Sequence, residues 1–111
     1  MMTLVMSSVL VVAAAQSASV NTARDGLRNC FKTAIEQAKA EKVAKDGFQP
    51  FAKSHCTTQA NSFMAAVWAF DAKNKVSKKQ SNADAELQIE DFLFTADEKF
   101  QREAAAPAPG Q

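Results

Sequence analysis

Glycine occurs only three times, at positions 26, 47 and 110, and that scarcity removes whole classes of chemistry. A phosphate-cradling loop needs closely spaced glycines so that the backbone can approach the ligand, and none can be assembled here. Histidine is rarer still. His55 is alone, so the Glu-x-x-His pairs of two-iron helical bundles are missing. His55, Cys56 and Cys30 together make three ligands, one short of a closed structural zinc site. There is no Cys-x-x-Cys-His haem attachment signal, and no serine sits in a glycine-rich nucleophile turn. These absences lead to the expectation of a chain that is not an enzyme, with no catalytic residue, no cofactor and no metal.

Long apolar runs are equally few. The one candidate, Leu4 to Ala15, is short of the roughly 20 residues a membrane helix needs. It closes on the small residues Ala13 and Ala15 and opens directly into polar sequence at Gln16. That pattern predicts a cleavable signal segment over 1–15, although the leading Met-Met-Thr carries no Lys or Arg. No cysteine stands at the expected cut, which argues against a lipid anchor. The expected setting is therefore export, periplasmic or secreted, with no stable membrane span after cleavage. The rest of the chain reads as a single helical domain over 16–105 and a solvated Pro/Ala tail over 106–111.

Cys30 and Cys56 are the only cysteines. In an exported chain an even pair predicts one disulfide, Cys30–Cys56. It would close a loop of about 25 residues and add roughly 3 kcal/mol, a useful increment for so small a core.

Net charge is +1, which gives no strong attraction to nucleic acid. The charge is unevenly spread. Residues 24–79 carry eleven Lys/Arg against five Asp/Glu, and residues 80–111 carry seven Asp/Glu against two Lys/Arg. A basic body and an acidic final helix can complement one another within one fold, or the acidic helix can serve another molecule.

Apolar periodicity predicts three helices and no strand. The first spans 22–42, opened by Thr22-Ala-Arg-Asp25 as a capping box and carried by Val20, Ala23, Leu27, Cys30, Phe31, Ala34, Ile35 and Ala38. Asp46-Gly47 and Pro50 punctuate the chain. A second helix occupies 49–74, with Ala52, Cys56, Ala60, Phe63, Val67 and Phe70 on its stripe. An antiparallel hairpin joined at Cys30 and Cys56 requires the turn near position 43, which places the end of the first helix near Lys42. Ser77-Lys-Lys-Gln80 caps a third helix over 78–103, with Ala85, Ile89, Phe92, Leu93, Ala96 and Phe100 facing inward. Short connections then give a small antiparallel three-helix bundle.

One feature departs from a plain solvated bundle. Leu87 and Phe94 lie seven residues apart and roughly 150° or more from the inward stripe of the third helix, forming an apolar line on its far side. Met64 and Trp68 form a similar line beside the main stripe of the second helix. These four residues are the candidate interaction surface. Carboxylates cluster on the third helix at Asp84, Glu86, Glu90, Asp91, Asp97 and Glu98, and Glu86 and Glu90, four residues apart, read as a solvated face paired with basic neighbours.

In size and single disulfide the chain resembles, in outline, small helical periplasmic proteins such as acid-stress chaperones. The likeness covers architecture alone and carries over no residue. The expected function is an exported, non-enzymatic module that binds an unknown protein partner or a second copy of itself. The alternative is a chaperone-like or apolar-ligand-binding bundle working around Met64 and Trp68.

Overall fold

The computed structural model describes the backbone of residues 2–105 and the side chains of residues 18–104. The expected tail over 106–111 and the side chains of the expected signal segment lie outside the described residues. Among the described residues the chain is all-helical: α1 (Met2–Ala40), a 3-10 turn (Lys45–Gly47), α2 (Phe48–His55), α3 (Thr57–Lys73) and α4 (Lys78–Ala105). No helix of the described residues is long and apolar enough to cross a membrane.

Two expectations about helix boundaries require correction. The first helix does not start at Thr22; α1 runs through that position from Met2. A capping sequence starts a helix only where the preceding chain leaves helical geometry, and residues 16–21 contain no Gly or Pro to make it do so. Val20 also continues the inward stripe and packs on the core, while Asn21 Oδ1 accepts a 2.7 Å hydrogen bond from Arg24.

The second correction is that the described residues form four α-helices rather than three. The expected 49–74 helix is divided at Cys56, whose φ and ψ of −113° and 22° leave the helical region. The two segments stay hydrogen-bonded across the break, because Cys56 N–H still donates to Ala52 O and Ala60 N–H to Cys56 O. Beside the break, the Thr57 hydroxyl lies within donating distance of Lys53 O at 3.0 Å and Ser54 O at 3.3 Å. A threonine hydroxyl that competes for carbonyls in this way bends helices.

Both turns are closed in the same manner. After α1, Lys42 takes φ 58°, Lys42 N–H donates to Lys39 O, and Val43 N–H donates to Ala38 O. After α3, Lys75 takes φ 60°, Lys75 N–H donates to Ala72 O, and Val76 N–H donates to Asp71 O. This paired pattern is a Schellman stop, normally built on glycine at the left-handed residue. Here lysine fills that position, and Val43, the next residue, packs against the core.

At the start of α4 the expected cap is half formed. Ser77 Oγ accepts from Gln80 N–H at 3.1 Å, but the Gln80 side chain reaches forward to Asp84.

The core lies between α1, α3 and α4, with α2 closing one end. Leu27, Phe31, Ala34, Ile35 and Ala38 meet Phe63 and Val67 of α3 and Ala85, Leu93, Ala96 and Phe100 of α4. Arg24 and Arg28 of α1 roof this core, their guanidinium carbons 5.7 Å from the Phe63 ring centroid and 5.4 Å from that of Phe92. The two rings themselves meet edge to face at 6.2 Å. The sulfurs of Cys30 and Cys56 are at bonding distance, with Cα atoms 5.9 Å apart, which ties α1 to the α2–α3 junction.

Candidate functional site

The periodicity of α4 dictates its two faces. Ser81, Ala85, Leu93, Ala96 and Phe100 are buried, so residues about half a turn away must look outward. Leu87 and Phe94 do: they are 70% and 57% exposed, the large apolar side chains most open to solvent among the described residues. Spaced seven apart, they stand about 10 Å from one another along the helix. Asp84, Glu90, Asp91 and Glu98 fall within about 60° of the same line and are all exposed. Glu90 is engaged by Lys53 of α2 at 3.1 Å. The outer face of α4 is therefore a pair of apolar side chains set among carboxylates.

Met64 and Trp68 do not join that face. Met64 is half-buried and packs on the core. Trp68 Nε1–H donates to Asn82 Oδ1 on α4, and Lys78 Nζ stands 4.8 Å from the centroid of its ring. Asn82 lies about 140° around α4 from Leu87, so the structure separates the four candidate residues into an exposed pair and an internally engaged pair. Beside Trp68, a recess lined by Ala72, Val76 and Ser81 opens at the α3–α4 turn. Ser81 Oγ is buried there with no hydrogen-bond partner among the described residues. Apolar periodicity passes over Ser81 because its side chain is polar, although it sits four residues before Ala85 on the same stripe.

His55 is exposed and stacks on Phe51 with ring centroids 5.8 Å apart. Among the described residues, no three His, Cys, Asp or Glu side chains gather as a metal-binding group. Asp97, one of the carboxylates clustered on this helix, is half-buried and structural. Its carboxylate accepts from Gln49 and Gln101, each at 2.8 Å, and Gln101 also donates to Lys45 O at 2.7 Å.

A second surface was not legible as a unit in the sequence. Between α1 and α4 runs a groove of about 300 Å³ whose rim holds Arg28 and Lys32 on one bank and Lys99 and Arg102 on the other. In the sequence these cations are separated by some 70 positions, and those of α4 are embedded in a net-acidic segment. Their convergence is purely tertiary.

No family model, curated protein or solved structure matches this chain.

Proposed function

We propose that this chain is an exported, non-enzymatic interaction module that docks a protein partner on the outer face of α4. The observation that carries the reading is the exposure of Leu87 and Phe94 on a helix whose opposite face already fills the core. A terminal helix of a small bundle needs one apolar stripe, and a second line of large apolar residues costs solubility unless something covers it. The surrounding carboxylates favour a partner with Lys or Arg around its own apolar contacts. Two copies of this face would instead bring like charges together. The signal-like segment at 1–15 supplies the exported setting.

The test places a photo-crosslinking amino acid at Phe94 in cells and looks for one discrete adduct in the exported fraction. Leu87→Asp in that background should abolish the adduct while helicity and melting temperature stay near those of the parent. A parallel fall in melting temperature would make Leu87 a core residue and end the reading. So would equal crosslinking from Lys73, an exposed position on another helix.

A further inference from the structure

We propose that the groove between α1 and α4 binds a single-chain amphipathic anion, an alkyl carboxylate, with its tail on the apolar floor and its head among the rim cations. This goes beyond the α4 docking face and does not depend on it. The floor is made by Phe31, Ile35 and Ala96, each largely closed to solvent, and by the half-buried ring of Phe92. Arg28 and Lys32 stand one turn apart on α1, and Lys99 and Arg102 one turn apart on α4, so each bank presents two cations. Asp91 is the one carboxylate among the groove's lining residues.

The charges of this rim are mostly unspent. Lys99 is shared with Glu103 at 3.8 Å. Among the described residues, no carboxylate oxygen lies within 4.0 Å of Arg28, Lys32 or Arg102. Arg28 holds its guanidinium above the Phe92 ring, at the boundary between floor and rim, where a carboxylate head would meet it. Guanidinium groups match carboxylates in a planar, two-pronged geometry.

Size and charge together select the occupant. About 300 Å³ is the lower end of small-molecule sites, which run from roughly 300 to 1,000 Å³. A cationic amphiphile would gain the floor and be repelled by the rim. A hydrophilic polyanion would gain the rim and leave the floor unused.

The experiment titrates decanoate, below its micellar range, into the full chain by calorimetry, with backbone amide shifts followed by NMR. Saturable binding is expected, with shifts centred on Lys32, Ile35, Thr95 and Lys99. Lys32→Glu with Arg102→Glu should weaken binding at least tenfold. Asp91→Asn should tighten it several-fold. Thr95→Trp, at an exposed position on the groove wall, should abolish it by filling the space, with helicity unchanged in every variant. Decyltrimethylammonium should bind at least tenfold more weakly than decanoate. Equal affinity for the two amphiphiles, indifference to the charge reversals, or shifts centred on Leu87 and Phe94 would each overturn the proposal. So would association with anionic phospholipid vesicles without binding of free decanoate, which would assign the rim to a lipid surface instead.

Discussion

Phe48 stacks on Phe100 with ring centroids 4.7 Å apart and planes 16° from parallel, joining the first residue of α2 to the last turns of α4. Both rings are closed to solvent. Gln49, Asp97 and Gln101 bond across the same junction, so the chain leaving the first turn is held by an apolar contact and a polar one together. Phe48→Ala should cost about 3–5 kcal/mol in urea unfolding, the usual range for removing a buried ring. A cost under about 1 kcal/mol would mean that this end of the bundle is not packed in solution.

The Cys30–Cys56 bridge should make a separable contribution. Cys30→Ser is expected to lower stability by about 2–4 kcal/mol under oxidising conditions, chiefly by freeing the unfolded chain. The parent treated with reductant should fall to nearly the same value. Equal stability of parent and variant before reduction would show that no bridge forms.

Lys75 ends α3 in a left-handed conformation that an L side chain adopts at a cost. Lys75→Gly removes the Cβ clash while keeping the Schellman hydrogen bonds, so it should stabilise the fold by about 0.5–1 kcal/mol. Lys75→Ala, which keeps the Cβ, should leave stability nearly unchanged. If glycine and alanine act alike, the left-handed turn is not the native one.

Lys39 and Glu103 give the stability a predictable pH dependence. Their side chains meet at 2.8 Å. Hydrogen bonding from Lys39 holds the Glu103 carboxyl below its ordinary value of 4.5, and the reciprocal bond raises Lys39 above 10.5. The Glu103 contribution is therefore complete above pH 4.5 and is lost as pH falls through its lower folded value. The Lys39 contribution is complete below pH 10.5 and is lost as pH rises through its higher folded value. Glu103→Gln should flatten the acid limb of a Tm–pH profile. An NMR titration should place the Glu103 midpoint below 4.5; a midpoint at or above it would remove the pair.

The inward stripes were largely legible in sequence because helical period and burial are linked residue by residue. Leu27, Phe31, Phe63, Val67, Leu93 and Phe100 are buried where the three- and four-residue spacing places them. The same rule made Leu87 and Phe94 stand out, since no rotation of α4 buries them with Ala85 and Leu93. Boundaries were less legible. The helix stops after α1 and α3 use lysine where glycine would have been the local signal, so they depend on packing and on Schellman bonds rather than on residue type. Phe48 was not legible as core because Asp46-Gly47 reads as a loop. A residue beside a loop signal belongs to the core only if a distant ring, here Phe100, is waiting for it.

By itself, then, the sequence determined an all-helical chain, the face each helix turns inward, the cysteine pair and the outward apolar line on α4. These come from spacing along one helix, or from having just two cysteines to pair. Tertiary structure alone decided the break at Cys56, the engagement of Trp68 by Asn82 and Lys78, the structural use of Asp97 and the four-cation groove between α1 and α4. Each of those depends on groups far apart in the chain meeting in space, and their energy depends on a separation that no local pattern encodes.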